Sequence, residues 1–275
     1  MRREICLAAG MLTDVIDPLD RVAIAADAGL DGLGLRVDDH WASSTDLGRV
    51  RDALDERRLV LLDVELAMLT PDGRHDDQTR RALSVARELQ PRNFVTVCFD
   101  DDRARLVEAL RALVRELAET AIRPVVEFLP FSSVRTLDEA CSIVEAVDRD
   151  GSVGVLVDVL HLSRSGGSAA DLAGIPASLL PYLQVCDAGP GPLRPSRGAL
   201  FREATGERLL PGYGTLPVEA AIRMFPSGTP ISIEVLSEDL MRTTDPRARA
   251  RMALDAMRAT LEKTSRAPAI EGIPT

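Results

Sequence analysis

Short apolar runs of six or seven residues recur along the chain, at 4–9, 32–37, 59–65, 93–99, 123–129, 153–159, 182–188 and 230–236. Each is followed by a polar turn and an amphipathic stretch. The helical patterns fall at 17–29, 45–58, 77–90, 103–120, 135–150, 169–180 (the weakest), 215–225 and 245–263. Near-continuous apolar strands joined by helices describe a parallel sheet covered by helices. Eight strands and eight helices in strict alternation, in a chain of 275 residues, predict an α/β fold, a single (β/α)8 barrel. A doubly wound open sheet would offer a glycine-rich phosphate loop after its first strand, and "LAAGMLTDVIDP" is not one.

No linker divides the chain, so residues 1–264 read as one domain and 265–275, "APAIEGIPT" with its flanks, as a flexible tail. The longest irregular segment, 187–215, follows the seventh strand and exceeds a routine βα turn.

Composition removes several function classes. A formal net charge of −10 repels phosphate backbones, against nucleic acid or an anionic membrane as partner. No run reaches the ~18 apolar residues of a membrane span, and the N-terminus reads as a first strand rather than a signal peptide. Lys263 is the only lysine, so a Schiff-base or pyridoxal-phosphate mechanism lacks its central residue. Cys6, Cys98, Cys141 and Cys186 are far apart and form no CxxC, which fits buried thiols in a reducing cytoplasm.

In a barrel of this kind the loops after the strands build the active site. Strand 3 ends at Glu65, strand 5 at Glu127, strand 6 at Asp158, strand 7 at Gln184 and Asp187, and strand 8 at Glu234. Singly, each carboxylate fits a rim salt bridge with one of the many arginines, and His161 fits an ordinary loop residue. Together they are harder to assign to accident. Ionised, Glu127, Asp158 and Glu234 repel one another on one rim, and a divalent cation compensates them. Asp158 then reads as a ligand and His161, three residues on, as a substrate contact.

The ordered set "VVEFLP" (125–130), "VDVLH" (157–161), "LQVCDA" (183–188), "RLLPGYGTLP" (208–217) and "SIEV" (232–235) resembles the xylose-isomerase-like TIM-barrel superfamily over nearly the whole chain. Sugar isomerases and epimerases, inosose dehydratase, hydroxypyruvate isomerase, dehydroshikimate dehydratase and endonuclease IV belong to it. The resemblance implies that Glu127, Asp158, Gln184 and Glu234 bind one divalent metal ion. Gln184 stands where many members have His and resembles the hydroxypyruvate isomerase variant. Three carboxylates and an amide favour Mg²⁺ or Mn²⁺, with Co²⁺ or Zn²⁺ also used in the superfamily.

By similarity to the ketose epimerases, Glu127 and Glu234 exchange the substrate proton and His161 holds a substrate oxygen. Arg194, Arg197, Arg202 and Arg208 of the long loop are candidate substrate contacts, Glu65 a further one, and Arg36, His40 and Trp41 candidates for a pocket wall. Two departures narrow the choice. The three histidines, His40, His75 and His161, are too few for the three-zinc centre of endonuclease IV. There is no xylose-isomerase lysine for a two-metal hydride shift.

The leading expectation is therefore a cytoplasmic, metal-dependent isomerase or epimerase acting on a polyhydroxy carbonyl compound through a metal-bound enediolate. A dehydratase of the inosose or dehydroshikimate type shares the first proton abstraction and is the alternative, with a non-catalytic barrel third. Aromatic content of 3% is low for a sugar-stacking pocket and leaves room for a small polar acid or a cyclic polyol. The expected partner is such a small molecule; a homo-oligomer is compatible with the sequence.

Overall fold

The computed structural model describes residues 2–37, 46–71, 77–147, 151–191 and 195–266. Eight strands, β1 (Ile5–Leu7), β2 (Gly32–Arg36), β3 (Val60–Leu69), β4 (Asn93–Cys98), β5 (Arg123–Glu127), β6 (Gly154–Asp158), β7 (Leu183–Val185) and β8 (Ile231–Ile233), pair in sequence order and all in parallel. β8 returns to β1 and closes the barrel. The chain is a single (β/α)8 TIM barrel, as the alternation predicts.

The outer layer follows from capping and periodicity. Helix α1 (Pro18–Ala28) starts where the Asp17 carboxylate accepts the Leu19 N–H, with Pro18 in the first turn, and stops at Gly29 in the left-handed region (φ 84°). Asp46 and Asp102 cap α2 (Leu47–Arg57) and α4 (Arg103–Leu117) in the same way. In α3 (Asp77–Leu89), Thr79, Ala82, Leu83, Ala86 and Leu89 form one buried stripe at helical spacing. α5 (Leu137–Val147) buries Ala140, Ile143 and Val144 likewise.

The second half departs from strict alternation. The helix predicted for 169–180 is replaced by α6 (Val159–Arg164), directly after β6, and two 3₁₀ turns, Ala169–Gly174 and Ala177–Leu179. Gly174 and Pro176 explain the break: one adds backbone freedom and the other lacks an N–H. The segment predicted as irregular holds α7 (Arg197–Gly206), started by the Ser196 hydroxyl accepting from Ala199 N–H. α8 (Val218–Met224), α9 (Glu238–Thr243) and α10 (Pro246–Arg266) complete the layer. β3 also continues to Leu69, past the predicted end at Glu65, with a register shift against β4 between Val64 and Ala67. Among the described residues no helix is long and apolar enough to cross a membrane.

The main core lies between helices and barrel. A separate cluster of Cys6, Leu62, Val95, Val125, Leu156 and Tyr182 fills the lower barrel interior. Side chains two residues apart on a strand share a face. Glu127, Asp158 and Gln184 therefore stand one step above Val125, Leu156 and Tyr182, on the same inward face. An apolar floor positions the polar groups of strands 5 to 7.

Candidate active site

Asp158 ends β6 and caps α6. Its Oδ1 accepts from the N–H groups of Leu160 (2.7 Å) and His161 (3.0 Å). The turn this imposes explains the D-x-x-H spacing: it folds His161 back beside its own cap. His161 Nε2 then lies 3.7 Å from Glu127 Oε1 and 3.4 Å from Arg208 Nη2. Phe131 packs edge-on against the imidazole, with ring centroids 5.8 Å apart. Burial, reinforced by Arg208 and opposed by Asp158, lowers the His161 pKa to about 4, so the ring is neutral at pH 7.

Arg208 sits deeper than a loop substrate contact would. It is 2% exposed, and its Nη1 donates to Asp158 Oδ2 at 2.6 Å and lies 3.1 Å from Glu234 Oε2. Its Nε donates to the Ala204 carbonyl at 2.7 Å. The motif around it explains the placement. Asp187 accepts from the N–H groups of Ala188 (2.8 Å), Leu216 (2.9 Å) and Gly212 (3.1 Å), pinning the loop that follows Arg208. A Cβ at Gly214 would stand 2.2 Å from the Ala188 carbonyl oxygen, so only glycine fits there. Asp187 thus holds backbone, and the R-x-x-P-G-x-G run anchors the guanidinium.

The remaining carboxylates are crowded. Burial pushes Glu234 up to about 8, with Glu65 and Asp158 adding repulsion and Arg208 and Arg36 opposing it. Burial likewise takes Glu65 to about 7, against the pull of Arg36, 3.9 Å away. Glu127 lies well above the usual carboxylate range, through burial and the charges of Glu234, Asp158 and Glu65. For Asp158, burial works upward, but Arg208 and His161 outweigh it and hold its pKa low.

These groups fit a divalent cation. Glu127, Asp158 and His161 each offer one ligand atom, all within 4.8 Å of one another. Gln184 is 1% exposed, and its Oε1 has no hydrogen-bond donor. Glu65, Glu127 and Glu234 line the cavity beside only two guanidinium groups among the described lining residues, those of Arg36 and Arg208, and Arg208 already pairs with Asp158, so ionising all three calls for a further positive charge. Hard oxygen donors with an imidazole nearby suit such an ion.

Glu65, Glu127, His161, Arg208, Glu234 and Arg36 line one cavity of about 210 Å³, with Asp158 buried behind Arg208. Arg197 turns away to the Phe131 carbonyl, and Arg202 is exposed. Arg194, His40, Trp41 and His75 lie outside the described residues.

Two features escape the sequence reading. Arg164 pairs with buried Glu203 through contacts of 2.6 and 2.7 Å, tying α6 to α7. Asp63 is fully buried inside the barrel beside Tyr182, in space left by Gly34, where a Cβ would stand 2.2 Å from its Oδ1. No signal marks Glu203, whereas a charged residue inside the apolar run "LVLLDVE" singles out Asp63.

A model of the xylose isomerase-like TIM barrel family matches residues 22–260. The chain belongs to that family. No curated protein matches it in sequence. Solved structures share its fold at low identity. A xylose isomerase-like TIM barrel/4-hydroxyphenylpyruvate dioxygenase fusion protein superimposes with a TM-score of 0.79 at 18% identity; the match covers 99% of this chain and 46% of that one. This xylose isomerase-like chain thus spans less than half the fusion's length. An IolI protein with a bound zinc atom gives 0.79 at 16% identity, covering 96% of this chain and 100% of that one. A D-allulose 3-epimerase from Methylomonas sp., in complex with D-allulose, gives 0.68 at 18% identity, covering 94% and 97%.

Proposed function

We propose that the protein is a divalent-metal-dependent isomerase or epimerase of a polyhydroxy carbonyl compound. The observation that carries this reading is the meeting of Glu127, Asp158 and His161 within 4.8 Å in an acid-rich pocket at the strand ends. The zinc in the IolI protein and the D-allulose in the epimerase, both on the same fold, support it. Glu127, Asp158, Gln184 and Glu234 would hold the ion, with Mn²⁺ or Mg²⁺ favoured by the amide donor. A bound cation supplies Lewis-acid stabilisation of negative charge on a substrate oxygen.

The side chains supply the rest. A carboxylate of the pair Glu127 and Glu234 takes the proton from the carbon beside the carbonyl, and a carboxyl returns it. Return to the other face of that carbon gives an epimer; return to the neighbouring carbon, with the hydroxyl proton passing to the former carbonyl oxygen, gives an isomer. Neutral His161 can donate to a substrate oxygen through one ring nitrogen. Arg208 fixes Asp158 and Glu234 in place and offsets their charge.

The test is solvent deuterium wash-in followed by NMR over a panel of ketoses and cyclic hydroxy ketones, with metal-loaded and metal-stripped protein. Exchange at the carbon beside the carbonyl, dependent on metal, is expected. Loss of water with a new ultraviolet chromophore would assign a dehydratase instead. Absence of both reactions across the panel would remove the enzymatic reading.

A further inference from the structure

Two charged side chains outside the cavity join the helices beside it. Arg164 ends α6, and Glu203 lies in the second half of α7. Arg164 Nε donates to Glu203 Oε2 at 2.7 Å and its Nη2 to Glu203 Oε1 at 2.6 Å, a two-pronged pair with each side chain 11% exposed. The same Nη2 donates to the Gly189 carbonyl at 2.8 Å, in the segment that leads into α7. A Cβ at Gly191 would stand 2.8 Å from Arg164 Cζ, so the glycine leaves the room that the guanidinium occupies. Neither Arg164 nor Glu203 lines the cavity.

The elements that the pair joins do line it. Arg164 lies three residues beyond His161, on the same side of α6, and Asp158 caps that helix. Glu203 precedes Ala204, whose carbonyl accepts from Arg208 Nε at 2.7 Å. Arg208 Nη1 then reaches Asp158 and Glu234. The contacts form a closed circuit. They run from Asp158 through α6 to Arg164, across to Glu203, along α7 to the Ala204 carbonyl, and through Arg208 back to Asp158.

Apolar packing alone seats α7 weakly. Its buried apolar side chains are Leu200 and Ala204, and Phe201 meets Phe131 edge-on at 5.5 Å yet stays 53% exposed. A helix of ten residues is marginal without tertiary support, so a directed ionic contact in its buried face carries weight. Opposite charges 2.6 Å apart largely cancel at the distance of the cavity, so the pair acts there by placement and not by charge.

We propose that Arg164 and Glu203 are positioning residues of the active site. Their pair fixes α7 against α6, holds the Ala204 carbonyl within reach of Arg208 Nε, and thereby keeps the guanidinium on Asp158 and Glu234. The placing of those two carboxylates around a cation follows from that seat. This consequence rests on the function proposed above, whereas the seating of Arg208 does not. Losing a group that orients a metal ligand costs about 10–100-fold in metal affinity or activity, and one contact further out the lower end is expected.

The experiment is side-chain hydrogen exchange in the full chain labelled with ¹⁵N-arginine, beside calorimetric titration with Mn²⁺. The Arg208 Nε–H, identified by its loss in Arg208→Lys, reports the seat. The Nε–H of buried Arg21, on α1, donates to the Val15 carbonyl at 2.6 Å and reports global stability. In Arg164→Met the Arg208 Nε–H is expected to exchange about tenfold faster while Arg21 keeps its rate, and Mn²⁺ to bind about tenfold more weakly. Arg164→Lys keeps the charge but loses the fork, and is expected to fall between; it replaces Arg164→Met if that variant does not melt cooperatively. Equal acceleration at Arg208 and Arg21, or an unchanged Arg208 rate in a folded variant, would overturn the positioning role. So would a faster Arg208 with the parent's Mn²⁺ affinity. A parent that binds no Mn²⁺ removes the proposed function instead, and the two exchange rates still decide the seating of Arg208.

Discussion

Arg208 and Asp158 are joined by a contact of 2.6 Å inside the barrel, where their side chains are 2% and 0% exposed. Breaking one partner of such a pair strands the other charge out of water. Arg208→Met is expected to cost about 3–5 kcal/mol of folding stability. Urea unfolding with and without Mn²⁺ measures it. The metal is expected to restore part of the loss, because it also compensates Asp158. A loss below about 1 kcal/mol would show that Asp158 finds another partner.

Burial puts Glu65 at about 7 and Glu234 at about 8 and shifts Glu127 upward as well, so in the metal-free chain these carboxyls keep protons to higher pH than free ones do. Unfolding returns them to about 4.3, so between pH 4 and 8 the folded state binds more protons and stability falls as pH rises. A cation must displace those protons. Metal affinity is expected to rise from pH 6 to 8, with protons released as the ion binds. Titrations in buffers of different ionisation enthalpy count the protons. Affinity independent of pH would place the ion away from these carboxylates.

Asp63 carries the same sign in a different place. Its carboxylate oxygens lack a hydrogen bond of normal geometry, although the Tyr182 hydroxyl lies beside them. Burial, opposed by Tyr182 and reinforced by Glu234, moves its pKa to about 7. Charging it above that pH costs stability that Asp63→Asn avoids. The variant is expected to melt above the parent at pH 8, with the gap closing toward pH 4. A gap independent of pH would mean that the carboxyl titrates alike in the folded and unfolded chain.

The barrel and the rim were legible because both rest on short-range pattern. Apolar runs bounded by polar turns place Glu127, Asp158, Gln184 and Glu234 at strand ends. What pattern could not carry was distance in three dimensions. Phe99, Phe131 and Phe201 lie far apart in the chain and share a wall only after closure. Arg208 read as a loop arginine because its burial depends on Asp187 and Gly214 folding the following loop beneath it. The ten residues of α7 were hidden between proline- and glycine-rich flanks, and β3 runs on past Glu65 through an irregularity that periodicity does not show.

Glu234→Gln removes one charge and one base while nearly conserving volume. Turnover on the true substrate is expected to fall about 10²–10⁴-fold, with the melting curve of the metal-free chain little changed or slightly raised. Steady-state rates beside thermal unfolding test this, and activity within a few-fold of the parent would exclude proton transfer by Glu234.

The ligand set is the central claim, and an anomalous difference map from Mn²⁺-soaked crystals tests it most directly. One peak is expected about 2.0–2.3 Å from oxygens of Glu127, Asp158, Gln184 and Glu234, with Arg208 still bonded to Asp158. A peak held by Glu127, Asp158 and His161 without Gln184 and Glu234, or no peak at the strand ends, would contradict it.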